Sequence, residues 1–282
     1  MNLQPKILLV PNPARDKNLS VTTKAARCLE TLGAQLRCTE SLSSVPQCSL
    51  AEGIQWAEIA VVFGGDGTIL RFARKAALQN LPILGINCGN LGYMTELDGQ
   101  DSIQLERLIS GDFSVEARMM LTALVKRNGS EVFRADCLND AVVSYGRLPH
   151  VVTFDLLERG QTFACYNADG MIFSTPTGST AYSLSAGGPI VDPALKAIVA
   201  TPICAHSLAA RSTVFSFDTV LSLRVGEQKK GETYLTLDGE ENFLLLDNDE
   251  VEITESPLVT HLIRFSRPPL GTLLSAKLND NT

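Results

Sequence analysis

The chain has 282 residues, of which 45% are hydrophobic and 20% are charged, and this ordinary globular composition predicts about two domains with sizeable cores. The formal net charge of −7 argues against non-specific binding to nucleic acid or anionic membranes, because an acidic surface repels both. Seven scattered cysteines without a C-x-x-C pair argue against a disulfide framework or a zinc site and indicate a reducing compartment. Residues 1–10 lack a signal-peptide core, and no apolar run approaches the roughly 18 residues that span a bilayer, so the sequence predicts a cytoplasmic protein.

Residues 1–114 alternate between strand-like and helix-like patterns. Short apolar runs at 7–10, 59–63 and 83–86 are typical of buried parallel strands. Helical spacing predicts helices at 21–32, with Ser20 as N-cap and Gly33 after its end, and at 68–77 and 105–109. The alternation predicts an α/β domain with a parallel, Rossmann-like sheet over residues 1–114.

From residue 115 onward the pattern is mostly β. Asn128-Gly129 and Arg159-Gly160 lie between strand-like segments and indicate hairpins. Further strands are predicted at 220–225, 234–237, 243–246 and 251–253. We therefore expect an all-β, β-sandwich-like domain over 115–262, interrupted by a small-residue segment at 175–188. A tail follows at 263–282, and it is polar and poorly patterned from Pro268 onward.

The segment Gly64-Gly65-Asp66-Gly67-Thr68 lies between a predicted buried strand and a predicted helix. Glycines let the backbone approach a ligand closely, and the N–H groups that open the following helix can bind phosphate. Asp66 is unusual there, because a carboxylate repels phosphate unless it binds Mg²⁺ or accepts a proton from an attacking hydroxyl. The segment is therefore interpreted as a phosphate-binding loop in which Gly64, Gly65, Gly67 and Thr68 surround Asp66. A tight Asp-Gly turn without a ligand is the alternative.

Other nucleotide-binding signatures are absent from the sequence. It contains no Gly-Lys dipeptide of the usual P-loop, no G-x-G-x-x-G, and no H-R-D or D-F-G. Arg71 lies one turn into the predicted helix and can reach phosphate, whereas Arg74 and Lys75 are better explained as a solvated face. The three histidines have no metal-ligand spacing, and no side chain is assigned to a metal.

Two further polar segments lie in the β-rich part. Asn139-Asp140 stands at the start of a predicted strand and can hydrogen-bond ribose hydroxyls, although an ordinary Asx turn explains the pair better from the local sequence alone. Asp169-Gly170 precedes a run of small and hydroxyl-bearing residues at 174–182, which is predicted to open a short helix through Ser185. Hydroxyls and free N–H groups suit the polar edges of a nucleotide, so a binding role is favoured over a capped Ser/Thr turn.

With these motifs in this order, the chain resembles the NAD kinase family from about Ile7 to about Val259. The matching segments are 64–68, 87–94, 138–140 and 169–189. The first is shared with the wider superfamily of diacylglycerol kinase-like and phosphofructokinase-like enzymes, whereas Thr-Pro-Thr-Gly-Ser-Thr-Ala-Tyr is specific to NAD kinases. The resemblance implies that ATP, with Mg²⁺ or another divalent cation, phosphorylates the 2′-hydroxyl of the adenosine ribose of NAD⁺ to give NADP⁺.

The same resemblance implies roles for individual residues. Asp66 is the general base, Asn139 and Asp140 hold the adenosine ribose, and Asp169 faces the nicotinamide end. The other residues implied to contact NAD are Gly67, Arg71, His150, Asn167, Thr180, Ala181, Tyr182, Ser183, Leu184, Ser185 and Glu240. The resemblance also implies a homodimer or homotetramer whose neighbouring subunits complete the site, and a tail that packs back on the first domain.

The sequence departs from the family pattern at a few positions. Asn167 stands where many relatives have a basic residue, Glu240 where glutamine is usual, and Ala205 and Ser212 where proline is usual. These departures leave the choice between NAD⁺ and NADH open, but not the reaction.

Two alternative functions are weighed against this one. A lipid or sphingoid kinase of the same superfamily is disfavoured by the segment at 175–182 and by the lack of a membrane-seeking surface. A non-catalytic nucleotide-binding sensor is disfavoured by the intact Asp66, Asn139 and Asp140.

Overall fold

The computed structural model describes residues 4–89, 92–146, 152–206, 210–226, 232–266 and 271. The chain divides into two compact units: unit 1 takes the residues up to Ala117 and those from Thr260 onward, and unit 2 takes Arg118–Val259. The division falls inside two long strands, Ser114–Arg127 and Glu250–Arg264. The domain boundaries predicted after residues 114 and 262 stay a prediction, as does the packing of the tail, most of which lies outside the described residues.

Unit 1 is built on a parallel sheet with the strand order β2-β1-β3-β4. Its strands are β1 (Lys6–Pro11), β2 (Gln35–Cys38), β3 (Ile59–Gly64), β4 (Ile83–Asn87) and the short β5 (Leu97–Asp98), which pairs with β4. Every residue of β3 and β4 is buried, which explains why these strands read as continuous apolar runs.

Among the described residues of unit 1, four α-helices connect the strands. They are α1 (Ser20–Thr31), α2 (Leu50–Trp56), α3 (Asp66–Ala77) and α4 (Glu106–Ser110). The apolar faces of α1 and α4 pack with β1 and β3 in one core, which includes Leu29, Leu108, Ile7 and Val61. The strands and helices predicted in this part of the chain are confirmed, whereas β2, β5 and α2 were not predicted.

The start of α1 differs from the prediction. Ser20 is not the N-cap but the first residue of the helix. The carboxylate of Asp16 accepts the backbone N–H groups of Val21 and Thr22 at 3.0 and 2.9 Å and the Thr22 hydroxyl at 2.6 Å. Asp16 is buried, so a side chain four residues upstream satisfies the free N–H groups that Ser20 was predicted to bind.

Unit 2 contains two antiparallel sheets. One has the order β13-β12-β11-β8-β15-β16, and the other contains β10-β9-β14-β17 together with β6 and β7. The strands are β6 (Ser114–Arg127), β7 (Ser130–Cys137), β8 (Asp140–Tyr145), β9 (Val152–Glu158), β10 (Gln161–Ala168), β11 (Gly170–Ser174), β12 (Ala197–Ile203), β13 (Thr213–Ser216), β14 (Leu221–Val225), β15 (Thr233–Leu237), β16 (Glu241–Leu245) and β17 (Glu250–Arg264). The short helix α5 (Tyr182–Ser185) follows β11.

Side chains from both sheets of unit 2 form one core, in which Phe154, Phe173 and Leu235 are fully buried. The two predicted hairpins are confirmed. Asn128-Gly129 and Arg159-Gly160 each have two successive positive φ angles, as a type I′ turn requires. The predicted fold class, an α/β part followed by a β-sandwich-like part, is confirmed. The predicted strand at 251–253 was too short, because β17 continues to Arg264.

Helices that cross a membrane need about 20 largely apolar residues. None of the helices in the described ranges meets this requirement.

The capping role of Asp16 can be tested by substitution. Asp16→Ala should lower the free energy of unfolding by roughly 1–2 kcal/mol, because buried N–H groups lose their acceptor. Ser20→Ala is the matched control and should change stability by only a few tenths of a kcal/mol. Denaturant titration of both variants measures this, and a larger loss in Ser20→Ala would contradict the assignment of the cap.

Candidate active site

The strand order of the parallel sheet in unit 1 reverses between β1 and β3, which makes this a topological switch point. From β1 the chain continues to β2 on one side, and from β3 it continues to β4 on the other. In open α/β sheets, ligands bind beyond the carboxyl ends of the strands at such a point. Polar residues follow both strand ends here, and the amide Nδ2 of Asn12, after β1, donates to Oγ1 of Thr68, after β3, at 2.9 Å.

A cavity of about 500 Å³ opens in unit 1 at these strand ends. Its lining includes five residues with a predicted role, namely Gly65, Asp66, Gly67, Thr68 and Arg71. The cavity is also lined by residues for which the sequence predicts no role, namely Asn12, Arg15, Asn87, Cys88, Gly89 and Gly92. An asparagine directly after a buried strand was a signal that could have identified Asn12.

The remaining residue of the predicted phosphate loop, Gly64, is the last residue of β3. A Cβ atom at Gly64 would lie 2.3 Å from Oγ1 of Thr68, so only glycine fits there without movement of that side chain. Burial raises the pKa of the Cys88 thiol to about 11, which argues against a thiolate nucleophile in the cavity.

The carboxylate of Asp66 has a fixed orientation. It lies in the first turn of α3, and its two oxygens accept the backbone N–H groups of Tyr93 at 2.5 Å and Met94 at 2.8 Å. A Cβ atom at position 92 would lie 2.0 Å from Oδ1 of Asp66, so Gly92 leaves the space that this carboxylate occupies. Asp66 is partly exposed and lines the cavity, so it combines a fixed position with access to a ligand.

A second group of predicted residues lies in unit 2, around the start of β8. The carboxylate of Asp238 accepts the backbone N–H groups of Leu138, Asn139 and Asp140 at 2.9, 2.7 and 3.2 Å. The backbone N–H of Asp238 donates in return to the carbonyl of Asp140 at 3.0 Å. The Asn139-Asp140 backbone is therefore fixed by a residue about 100 positions later, which the sequence did not identify.

The segment after β11 holds Asn139 from its other side. The backbone N–H of Thr175 donates to the carbonyl of Asn139 at 2.9 Å, and the Thr175 hydroxyl donates to the carbonyl of Leu138 at 2.7 Å. A Cβ atom at Gly178 would lie 2.0 Å from the Asn139 carbonyl oxygen, so this close approach requires glycine. The Asn139 side chain has a buried Oδ1 with no partner among the described residues.

Asp140 is buried at the start of β8. Burial, with a smaller contribution from the nearby Asp238, raises the pKa of the Asp140 carboxyl to about 7. At neutral pH this side chain therefore exists in both protonation states, and a hydroxyl that donates to it favours the ionised form.

The other predicted residues of unit 2 differ in exposure. Tyr182 and Ser185 of α5 are exposed, whereas the Ser183 hydroxyl is buried and lies 2.9 Å from Oγ1 of Thr201. Asp169 and Leu184 are partly buried, as are Thr180 and Ala181. Asn167 and Glu240 are exposed, and Oδ1 of Asn167 accepts the Thr153 hydroxyl at 2.9 Å. His150 lies outside the described residues.

Comparisons with known proteins cover both units. The model of the ATP-NAD kinase N-terminal domain matches residues 7–113, and that of the ATP-NAD kinase C-terminal domain matches residues 138–265. The chain is 38% identical to the NAD kinase of Symbiobacterium thermophilum, over 98% of this chain and 99% of that protein. It is 35% identical to the NAD kinase of Natranaerobius thermophilus, over 96% of each chain.

The chain belongs to the ATP-NAD kinase family. The predicted resemblance and the predicted NAD⁺ kinase activity with ATP as donor are therefore confirmed. The full-length matches to NAD kinases favour this reaction over that of a lipid or sphingoid kinase.

Two solved structures share the fold of this family member. Yeast NADH kinase complexed with NADH has a TM-score of 0.88 at 22% identity, covering 100% of this chain and 89% of that chain. The NAD kinase from Archaeoglobus fulgidus in complex with ATP has a TM-score of 0.75 at 21% identity, covering 96% of this chain and 98% of that chain. At these identities the likeness establishes the fold alone.

The space around Asp66 predicts that the family reaction is sensitive to Gly92. Gly92→Ala should lower kcat by about tenfold or more, because the new methyl group displaces the carboxylate by a fraction of an ångström or more. A Cβ atom at Gly89, in the same cavity, meets no described atom within 4 Å, so Gly89→Ala is the matched control and should have a much smaller effect. Steady-state kinetics of the two variants measure this difference. Equal losses of kcat in Gly92→Ala and Gly89→Ala would contradict the role of Gly92 in placing the carboxylate.

The environment of Asp140 predicts a pH dependence of stability. Its folded-state pKa of about 7 lies above the ordinary value of 3.8, so the unfolded chain loses this proton first. The contribution of Asp140 to the free energy of unfolding therefore falls as pH rises from about 4 to about 7. Relative to the parent, Asp140→Asn should gain stability across this window, on the order of a few kcal/mol.

Urea titrations at about pH 5 and pH 8 measure this gain. Glu240→Gln removes an exposed carboxyl from the turn that follows β15 and serves as control. A difference between Asp140→Asn and the parent that is the same at both pH values would contradict the raised pKa.

Proposed function

We propose that this chain transfers the γ-phosphoryl group of ATP to the 2′-hydroxyl of the adenosine ribose of NAD⁺, with Asp66 as the general base. The observation that carries the proposal is the fixed Asp66 carboxylate in a polar cavity beyond the carboxyl ends of β1 and β3. A base in this position has access to a ligand, while its hydrogen bonds to the backbone prevent it from rotating away.

The donor phosphates bind to the loop that follows β3. In this proposal Gly64, Gly65, Gly67 and Thr68 place the phosphates at the N-terminus of the twelve-residue helix α3, where the helix dipole favours anions. Arg71 lines the same cavity and supplies positive charge. Positioning and charge neutralisation are the main requirements of phosphoryl transfer, which supports this assignment.

A divalent cation, Mg²⁺ or another, accompanies the triphosphate in this proposal. Among the described residues there is no group of three or more acidic, histidine or cysteine side chains that could hold a metal, and Asp66 is the one carboxylate in the described lining of the cavity. This donor set fits Mg²⁺, which is commonly bound through substrate phosphates, water and one or two carboxylates. When bound, the ion supplies neutralisation of phosphate charge.

Most residues proposed to contact the acceptor nucleotide belong to unit 2. Asn139 and Asp140 hold the adenosine ribose. The fixed backbone supports this assignment, as does the buried Oδ1 of Asn139, which has no partner among the described residues. Asp169 faces the nicotinamide end. The other residues proposed to contact NAD are Gly67, Arg71, His150, Asn167, Thr180, Ala181, Tyr182, Ser183, Leu184, Ser185 and Glu240.

The transfer step follows from these roles. Asp66 accepts the proton of the 2′-hydroxyl as the ribose oxygen bonds to the γ-phosphorus. The bond between this phosphorus and the bridging oxygen breaks, and ADP leaves with the electron pair. General base catalysis of this kind is typically worth about 10²–10⁴-fold in rate.

Location and assembly are part of the same proposal. We place the protein in the cytoplasm, which is supported by seven cysteines that form no disulfide bond in the described part of the chain. A homodimer or homotetramer is proposed from the resemblance to the family.

A coupled assay tests the function and its base together. Purified chain, ATP, Mg²⁺ and NAD⁺ are combined, and an NADP⁺-specific dehydrogenase reports the product. Asp66→Asn should lower kcat by about 10²-fold or more while NAD⁺ binding changes little, because the amide keeps the shape but cannot accept the proton. Asp101→Asn, in unit 1 outside the described lining of the cavity, is the control and should keep normal turnover.

Each contrary result has a separate meaning. Near-normal turnover of Asp66→Asn would reject Asp66 as the base. Tight binding of NAD⁺ by the parent without NADP⁺ formation would favour the nucleotide-binding sensor instead.

A further inference from the structure

The guanidinium group of Arg264, at the end of β17, contacts a loop of unit 1 that is far away in the sequence. Its Nη1 donates to the carbonyls of Met94 and Thr95 at 3.1 and 3.3 Å, and its Nη2 donates to the carbonyl of Tyr93 at 3.3 Å. Three successive backbone carbonyls therefore converge on one side chain. Arg264 is buried, so these contacts occur where water competes little.

Two carboxylates fix the guanidinium group in place. Nε of Arg264 lies 3.0 Å from Oε2 of Glu116, and Nη1 lies 3.3 Å from Oε2 of Glu96. Oε1 of Glu96 also accepts the backbone N–H groups of Phe265 and Ser266 at 2.8 and 2.9 Å. The end of β17 is thereby tied to the loop both through its side chain and through its backbone.

The same loop holds the Asp66 carboxylate. The peptide group between Tyr93 and Met94 accepts from Arg264 through its carbonyl oxygen and donates to Asp66 through its N–H. A cation at the carbonyl end polarises a peptide group and strengthens its N–H as a donor. A continuous chain of hydrogen bonds therefore leads from Arg264 to the base.

We propose that Arg264 is a positioning residue for phosphoryl transfer, because it fixes the Tyr93–Met94 peptide group and through it the orientation of the Asp66 carboxylate. The inference rests on the proposed function in that Asp66 is taken as the base. Arg264 itself does not touch the reacting atoms in this role.

Arginine is suited to this role in a way that lysine is not. Its planar group carries five donors in fixed directions, and here they serve three carbonyls and two carboxylates. Lysine at position 264 keeps the positive charge and most of the buried stem, but a single ammonium group cannot hold the same set of acceptors.

Arg107 provides a matched control. Its Nη2 donates to the carbonyl of Phe265 at 2.9 Å, its Nε pairs with Asp112 at 2.8 Å, and its guanidinium lies over the Phe265 ring. It therefore holds the same end of β17, but none of its described contacts reaches the loop that binds Asp66. If packing at the end of β17 is what matters, substitution of either arginine should lower activity. If the orientation of Asp66 is what matters, only substitution of Arg264 should lower it.

The test compares Arg264→Lys, Arg264→Gln and Arg107→Gln in the NADP⁺ assay, with melting temperatures measured for each. Both Arg264 variants should lower kcat, by about tenfold for Arg264→Gln, with KM for NAD⁺ changed less than twofold. Arg107→Gln should leave kcat within about twofold even where it lowers the melting temperature. If Arg264→Gln does not fold, Arg264→Lys decides the question.

A double-mutant cycle separates positioning from a general structural effect. In the Asp66→Asn background, Arg264→Lys should cause no further loss of kcat, because the base through which it acts is already gone. The inference would be overturned if Arg264→Lys lowered kcat equally in the parent and in the Asp66→Asn background. It would also be overturned if the Arg264 variants had the same kcat as Arg107→Gln. Normal turnover of Asp66→Asn alone would instead reject the proposed base, so the two failures are distinguishable.

Discussion

The cavity of unit 1 depends on one interaction, in which a loop of backbone N–H groups fixes the orientation of the Asp66 carboxylate. Asp66 is fixed by the N–H groups of Tyr93 and Met94, and this contact is possible because position 92 has no side chain. The end of β3 places Asp66 in the first turn of α3, and the end of β17 fixes the opposing loop through Arg264. The end of β17 is therefore linked, through the loop at 93–95, to the residue proposed to remove the proton.

The same physical solution recurs throughout the described chain. Backbone N–H groups in loops and at helix starts lack a partner in secondary structure, and they must find another acceptor when buried. Here carboxylates supply it: Asp16 at the start of α1, Asp66 for the loop after β4, Glu96 at the end of β17, and Asp238 at the start of β8. Part of the acidic composition thus serves to fix loops, including the segments proposed to bind phosphate and ribose.

The sequence predicted the features that depend on local patterns. Continuous apolar runs indicated β1, β3 and β4, and the dipeptides Asn128-Gly129 and Arg159-Gly160 indicated two hairpins, because each signal lies within a few residues. The loop around Asp66 was predicted for the same reason. The contacts of Asp238 and Arg264 could not be predicted, since they span about 100 and 170 residues and depend on register and burial. The cap of α1 was assigned to Ser20 wrongly, because an acceptor from outside the helix replaced the nearest hydroxyl.

The two aspartates to which the family resemblance gives central roles lie in opposite environments, and this difference separates their tasks. Asp66 is partly exposed and each of its oxygens accepts a backbone N–H, so its position does not depend on the ligand. Asp140 is buried near Asp238, and its pKa is raised to about 7, so its protonation state does depend on what approaches it. A ribose hydroxyl that donates to Asp140 favours the ionised form. In the proposed complex, binding of the acceptor is therefore coupled to ionisation of Asp140, whereas the proton of the reaction itself moves to Asp66.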